Sequence, residues 1–253
     1  MRYVLLAVLC SSLALALHAG EDPAPQGTTP AKPFDPAKHA WAKFGVGSWI
    51  TLKSTLEAGK ERSEQVVTFV LTEVTARECT VSKYEGAADS KKKTGVERFA
   101  LTPPEGVLQP LEGTRAPHLP KSVGAEKIET AGQTFSCVLY EYDEGDGTVQ
   151  QVALTEAGLR VRRVSGTKKD GKLFEPDTEM LVKTKEPLKV AGKELECARY
   201  EQNDAALGER YTAWESDSIP GGLVRAELVS KDDEGKEVKN RFELVAWKCF
   251  EKK

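Results

Sequence analysis

The sequence predicts an all-β protein with mainly antiparallel strands, about twelve of them in duplicated or triplicated units, forming a curled half-barrel or a sandwich. Three observations support this fold class. Short segments rich in Val, Thr, Tyr and Leu alternate polar and apolar residues, turn signals such as Gly145-Asp146-Gly147 separate them, and the C-terminal half repeats itself. One short N-terminal helix is predicted over Ala37–Phe44, with Asp35 as its N-cap and Pro36 in the first turn. So short a helix cannot cover twelve strands, so the sheet must curl, close or split.

The chain begins with a segment that has the features of a signal peptide. Arg2 supplies a positive charge, Val4–Leu17 is almost uniformly apolar, and Ala19 is a small residue before an acidic pair. Lipid attachment at Cys10 is disfavoured because a leucine precedes it and the apolar run continues beyond it. Removing residues 1–19 leaves 234 of the 253 residues, which is enough for one large or two small domains.

The prolines divide the mature chain. Five of the thirteen lie in Glu21–Pro36 and five more between Thr102 and Lys121. Because proline lacks an N–H donor and fixes φ, both stretches are predicted to be linker or loop. The predicted organisation is a Pro-rich linker at 20–38, an N-terminal β unit at 39–101, a Pro-rich loop at 102–125 and a duplicated β region at 126–249.

The duplicated region consists of two stretches, 126–185 and 186–249, that share the pattern A-G-x₄-C-x₂-Y-E. Ala131–Glu141 returns as Ala191–Glu201, at a spacing of 60 residues. In the first stretch the predicted strands are Phe135–Tyr140, Val149–Thr155, Leu159–Ser165 and Thr178–Lys183. Their counterparts in the second stretch are Leu195–Glu201, Glu209–Glu215, Leu223–Ser230 and Asn240–Trp247. The N-terminal unit adds Trp49–Leu56, Val66–Thr75, Cys79–Tyr84 and Val96–Leu101, and is a weaker third copy in permuted order.

Composition and charge exclude some functions. The chain has 36 Lys+Arg against 39 Asp+Glu, a formal charge of −3, so a nucleic-acid partner is not expected. No second apolar run is long enough for a membrane helix, so no membrane span is expected in the mature chain.

Four cysteines remain after signal removal: Cys79, Cys137, Cys197 and Cys249. In an exported chain, this even number suggests two disulfides of unknown pairing, while the alternative is that each thiol is a small buried apolar group in a strand. The cysteines are 58, 60 and 52 residues apart, unlike the close pairs of a zinc site. No metal and no cofactor are predicted.

Motifs for catalysis are incomplete. Gly166–Leu173 resembles a phosphate-binding loop but ends in Leu and lies between strands, and Asp143–Gly147 resembles a calcium loop but lacks its twelfth-position Glu. Both are predicted to be hairpin turns. His39 and His118 are the two histidines of the mature chain, and no G-x-S-x-G occurs. A non-enzymatic protein is therefore expected, with a hydrolase acting through these histidines as a remote alternative.

The most distinctive stretch is Trp214–Leu223, in which a tryptophan precedes an Ile-Pro-Gly-Gly turn. A curled sheet presents a concave apolar face, and Trp214 with Trp49 and Trp247 would be its ligand-binding residues. The favoured alternative is that Trp214 packs in the core while the Pro and Gly residues form the turn.

The A-G-x₄-C-x₂-Y-E pattern and the following W-x-S-x-x-I-P-G-G-L-V turn resemble a group of uncharacterised exported bacterial proteins. Some of these are similar in strand pattern to the periplasmic lipoprotein-carrier family. That resemblance implies an incomplete barrel with an apolar concavity, and lipid or acyl-chain binding. The expected function is a non-catalytic exported module, periplasmic or secreted, that holds an apolar ligand or an envelope protein. The alternative is a structural or interaction protein whose core is filled by its own side chains.

Overall fold

The computed structural model describes residues 39–76, 78–86, 92–100, 121–143, 148–169, 172–204, 208–232 and 234–252. Within these residues the chain forms thirteen strands: β1 Trp49–Ala58, β2 Glu61–Val74, β3 Glu78–Glu85, β4 Lys92–Ala100, β5 Lys121–Thr130, β6 Gln133–Asp143, β7 Thr148–Thr155, β8 Arg160–Lys169, β9 Lys172–Val190, β10 Lys193–Asp204, β11 Glu209–Glu215, β12 Leu223–Lys231 and β13 Glu237–Lys248.

All thirteen strands belong to one antiparallel sheet. Its order is β4-β3-β2-β1-β13-β12-β11-β10-β9-β8-β7-β6-β5, so the chain follows a meander from β5 to β13 and then pairs β13 with β1. Among the described residues, β4 and β5 are the two edges and do not pair with each other. The prediction of an all-β antiparallel fold is confirmed, and the arrangement is a single curled sheet rather than a sandwich.

Alternating burial explains why these segments are strands. In β1 the side chains of Ile50, Leu52 and Ser54 are buried and the residues between them are half exposed. A period of two places the buried set on one face of the sheet, where it contributes to the main core. That core continues across the sheet through Leu71, Val81, Leu181, Val224, Phe242 and Leu244.

Two hairpins of the predicted repeat have the same turn. Ala131 and Gly132 join β5 to β6 with φ of 50° and 74°, and Ala191 and Gly192 join β9 to β10 with φ of 47° and 78°. A two-residue hairpin loop with positive φ at both positions matches the twist of the flanking strands. The duplication itself stays a prediction, since repeated hairpins of this kind also occur in unrelated meanders.

The β5 end of the sheet curls back on itself. The Thr130 hydroxyl in β5 donates to the carbonyl of Leu181 in β9, although three strands lie between them in the sheet. Arg162 in β8 likewise contacts Glu126 in β5 at 2.6 Å. A small separate core fills this curl: Ile128, Cys137, Ala153 and Val161.

Three elements differ from their predicted form. Residues 39–44, the described part of the predicted helix, form successive turns, and residues 35–38 lie outside the described residues. β5 begins at Lys121, within the predicted loop, and no predicted strand covers it. The prediction missed this edge strand because it has little apolar patterning, with Ile128 as its buried residue. β9 has 19 residues and joins the two stretches of the predicted repeat without a break.

Candidate functional site: a cavity on the curled sheet

A cavity of about 590 Å³ opens on the face of the sheet that β7 to β12 provide. Three segments outside the strands complete its lining: residues 39–43, the β7–β8 turn at Gly158 and Leu159, and the β11–β12 loop at 216–222. The size lies within the range of small-molecule sites, which is about 300–1,000 Å³. The cavity therefore has room for an organic ligand.

Apolar side chains form two opposing walls. Val152 and Leu154 come from β7, where the period of two places both on the same face, and Leu159 follows in the β7–β8 turn. Leu195 and Ala198 of β10 belong to the second wall. These walls can bury hydrocarbon.

The floor carries a charge cluster centred on Arg160. The Arg160 Nη2 lies 2.7 Å from Glu215 Oε1 and 3.2 Å from Glu179 Oε1, and its guanidinium lies 4.3 Å from the Tyr200 ring centroid. Arg163 Nη2 approaches the second oxygen of Glu179 at 2.6 Å. Glu179 is only 1% exposed. Its buried charge is tolerated because the two arginines compensate it.

The electrostatics of the floor follow from burial and from these pairs. Burial by itself would lower the pKa of Arg160, but the charges of Glu179 and Glu215 outweigh it and hold the pKa above its ordinary value. Burial, aided by Glu215, raises the pKa of Tyr200. The arginine is therefore a fixed cation, and the phenol keeps its proton.

Residues 39–43 and the β11–β12 loop hold each other at one side of the cavity. The Gly221 N–H donates to the Ala40 carbonyl at 3.1 Å, and Lys43 Nζ lies 2.9 Å from Asp217 Oδ1. The Trp41 indole packs directly over Gly221 and is 1% exposed. The Ile-Pro-Gly-Gly turn thus forms the surface against which residues 39–43 pack.

His39 and Cys79 form the nearest approach to a catalytic pair in the described residues. His39 Nδ1 lies 3.9 Å from Cys79 Sγ and accepts the Trp41 N–H at 3.2 Å. Burial lowers the pKa of His39 to about 4, and burial raises the pKa of the Cys79 thiol to about 12. An activated thiolate requires the opposite shifts, so this pair serves packing. His118 lies outside the described residues.

The three tryptophans predicted to bind ligand are not among the residues that line the cavity. The Trp214 indole N–H donates to Glu186 at 3.2 Å, and Lys193 Nζ lies 4.9 Å from the Trp247 ring centroid. Trp49 begins β1 and pairs with Val70. The structure therefore does not bring the three together at the cavity.

The four cysteines in the described part of the chain are free thiols. Cys79, Cys137 and Cys197 are buried, as expected for small apolar groups in strands, and Cys249 is exposed. Cys137 in β6 and Cys197 in β10 are separated by three strands of the sheet. The structure thus has the alternative arrangement rather than two disulfides.

Nothing in the described part of the chain adds a metal or phosphate site. No group of three or more His, Cys, Asp or Glu side chains there is arranged to hold a metal ion. The phosphate-loop-like stretch forms the β8–β9 hairpin, in which Lys169 pairs with Lys172, while 170–171 lie outside the described residues. Most of the calcium-loop-like stretch, 144–147, also lies outside them. No described helix is long and apolar enough to span a membrane.

Sequence reasoning missed the floor cluster. Arg160, Glu179 and Glu215 are 19 and 36 residues apart along the chain, and nothing distinguishes them among 36 basic and 39 acidic residues. Only the register of β8 to β11 brings them together. A weak signal was available, since a charged residue within an apolar strand pattern is costly unless paired.

No protein-family model matches the chain, and a search of curated proteins finds no match. Among solved structures, similarity is found to a protein described as exported, with a YmcC-like fold, from Bacteroides fragilis: 11% identity, TM-score 0.35, covering 81% of this chain and 98% of the other. A domain described as an outer membrane lipoprotein-sorting protein from Vibrio parahaemolyticus has 12% identity, TM-score 0.37 and coverages of 83% and 87%. A LolA superfamily protein from Nitrosomonas europaea has 9% identity, TM-score 0.34 and coverages of 84% and 90%.

The chain is similar to exported bacterial proteins. These are the groups that the cysteine–tyrosine pattern and the Ile-Pro-Gly-Gly turn resemble. Identities of 9–12% with TM-scores below 0.4 carry no conclusion about a ligand. The functional argument therefore rests on the cavity.

Proposed function

We propose that this chain is an exported, non-catalytic binding module that holds an apolar ligand in the cavity on its curled sheet. The open cavity of about 590 Å³ with apolar walls carries this proposal. A structural protein whose side chains fill its own interior would not have such a space. The shifts at His39 and Cys79 disfavour the hydrolase alternative.

The walls support an apolar ligand because hydrophobic side chains line them above the charged floor. Val152 is buried, and Leu154, Leu159 and Leu195 border the same space. Burial of apolar ligand surface contributes about 25 cal/mol per Å² before the costs of association. Charged side chains such as Lys185 and Asp217 are confined to the exposed rim on this side.

The test is the binding of N-phenyl-1-naphthylamine, an uncharged apolar dye, measured by fluorescence titration of the mature protein. Leu154→Trp introduces a larger side chain into the wall, and we expect it to weaken dye binding at least tenfold. Val245→Trp is the matched control, because Val245 is an exposed strand residue outside the lining.

Circular dichroism establishes that both variants fold. Unchanged dye affinity in folded Leu154→Trp, or absence of dye binding by the unaltered protein, would contradict the proposal. Organic extraction of the protein purified from its host provides a second readout, since a bound lipid would co-purify.

A further inference from the structure

Most of the charged side chains around the cavity are paired with one another. Four cationic residues and four acidic residues line it: Lys43, Arg160, Arg163 and Lys185 with Glu194, Glu196, Glu215 and Asp217. Buried Glu179 lies behind the floor. The balance of these charges limits which ligand headgroup the cavity can accept.

At the floor, Nη2 of each arginine already has a carboxylate partner, while the buried Nε of Arg160 has none. Arg160 is held by Glu215 at 2.7 Å and Glu179 at 3.2 Å, and Arg163 by Glu179 at 2.6 Å. Both arginines are largely buried, so a second anion would have to compete with these carboxylates for the same guanidinium groups. A ligand carboxylate or phosphate placed here would lose its hydration beside carboxylates that already pair with both arginines.

The rim follows the same pattern. Lys43 Nζ pairs with Asp217 at 2.9 Å, and Lys185 Nζ lies 3.3 Å from Glu196 Oε2. His39, which also lines the cavity, is a neutral imidazole at pH 7, because burial lowers its pKa to about 4. The rim therefore adds no unmatched positive charge that would attract an anion.

We propose that the ligand of this cavity is an uncharged amphiphile, a hydrocarbon chain with a neutral polar headgroup, and that Glu215 excludes anionic amphiphiles by occupying Arg160. This inference rests on the proposed binding function. The paired charges select a class of headgroup, which apolar walls alone cannot do. Apolar walls bind a hydrocarbon chain equally well whatever the charge of the headgroup attached to it. The floor carboxylates are likewise engaged by arginines, so a cationic headgroup gains no free partner at the floor.

The experiment displaces N-phenyl-1-naphthylamine from the unaltered protein with three probes of equal chain length below their micelle concentrations: 1-monomyristoylglycerol, myristate and tetradecyltrimethylammonium. We expect the neutral probe to bind at least tenfold more tightly than either charged probe. Equal or tighter binding of a charged probe would overturn the inference and leave the binding function intact. Failure of all three probes and of the dye would instead overturn the binding function.

Glu215→Gln tests the residue assigned to this selection. The change leaves Arg160 and Arg163 sharing Glu179, so we expect the affinity for myristate to rise at least tenfold relative to the affinity for the neutral probe. Glu237→Gln is the control, because it removes a carboxylate from an exposed pair with Lys239 outside the lining and should alter neither probe. Unchanged myristate affinity in folded Glu215→Gln would contradict the assignment. If that variant does not fold, the comparison of probes on the unaltered protein still decides the headgroup class.

Discussion

The strands β5 to β9 and the strands β9 to β13 follow the same course but surround different spaces. Each set starts with an Ala-Gly hairpin, and each has a buried cysteine on its second strand. Next to that cysteine the charges correspond: Glu126 and Arg162 act on the Cys137 thiol, and Glu186 and Arg225 act on the Cys197 thiol. These common features belong to the arrangement of strands and hairpins that the two sets share, which we call the frame.

The differences lie where the second set borders the cavity. β7 and β8 are joined by four residues, whereas β11 and β12 are joined by the seven-residue loop that contains the Ile-Pro-Gly-Gly turn. Trp41 packs against the β11–β12 loop. Among the described residues, no comparable side chain packs over the β7–β8 connection. The comparison indicates that the sheet repeats a frame, and that the cavity depends on additions present in one set alone.

The largest expected effect separates the cavity floor from the β5 curl. Glu179→Gln removes the carboxylate shared by Arg160 and Arg163, and we expect it to lower the free energy of unfolding by about 3–5 kcal/mol, because two buried cations lose a partner. Glu126→Gln removes the partner of Arg162 at the curl, where both side chains are partly exposed, and should cost about 1 kcal/mol or less. Urea denaturation measures both variants. Equal costs would show that the floor cluster is no more buried in solution than the curl.

The cavity floor and the β5 curl also show how much of the fold and of the candidate site could be predicted from the sequence. Period-two alternation located most strands, such as β10 at Lys193–Asp204 against a predicted Leu195–Glu201, because burial on one face leaves a local pattern. β5 lacked that pattern, since an edge strand packs little side-chain surface. The floor cluster had no local pattern at all, because long-range strand register creates it.

The three tryptophans illustrate a further limit. None of the three is in the cavity lining, and Trp214 packs against the main core, as the favoured alternative for it predicted. A one-residue change of register moves a side chain to the opposite face of a sheet, and register depends on bulges such as the one between Trp214 and Glu215. The sequence does not reveal such bulges.

The second largest effect concerns pH and the N-terminal segment. His39 has a pKa of about 4 in the folded protein, because burial lowers it from an ordinary value near 6.5. As pH falls from about 6.5 to about 4, the unfolded chain takes up this proton first, so His39 should remove up to about 3 kcal/mol of stability. His39→Asn keeps an acceptor for the Trp41 N–H and does not titrate.

Urea denaturation at pH 7, 5.5 and 4.5 measures the difference between the two proteins. Other titrating groups cancel in that difference, and the unaltered protein should lose more stability on acidification. Parallel curves for the two proteins would mean that the imidazole is solvated, and that the segment does not close the cavity.

The third effect isolates the seat of Trp41 within the Ile-Pro-Gly-Gly turn. Gly221 and Gly222 both have positive φ, at 76° and 79°, so alanine strains each of them. A Cβ at Gly221 would lie 2.8 Å from the Trp41 ring, whereas one at Gly222 would meet nothing within 4 Å. We expect Gly221→Ala to cost about 1–3 kcal/mol more than Gly222→Ala. Equal costs would indicate that the tryptophan leaves the turn in solution and that the cavity is open on that side.

The smallest effect tests the part of the frame that the two sets of strands share. Cys137→Ser and Cys197→Ser each place a hydroxyl where a buried thiol lies, and we expect each to cost about 1–2 kcal/mol in urea denaturation. The two costs should be similar, because Cys137 and Cys197 have corresponding positions and charges around them. Cys249→Ser is the exposed control and should change stability by less than about 0.5 kcal/mol.

Thiol labelling at pH 8 completes this comparison. Burial, aided by Glu186, raises the pKa of Cys197 to about 11, so its thiol stays protonated and reacts slowly, while exposed Cys249 reacts first. The unfolded mature chain should then show four reactive thiols without a reductant. Fewer than four would reveal a disulfide in solution, and unequal costs for the two buried serines would show that the two sets of strands do not share one frame. Similar costs with four free thiols would establish that the two sets of strands share one frame and that no disulfide stabilises it.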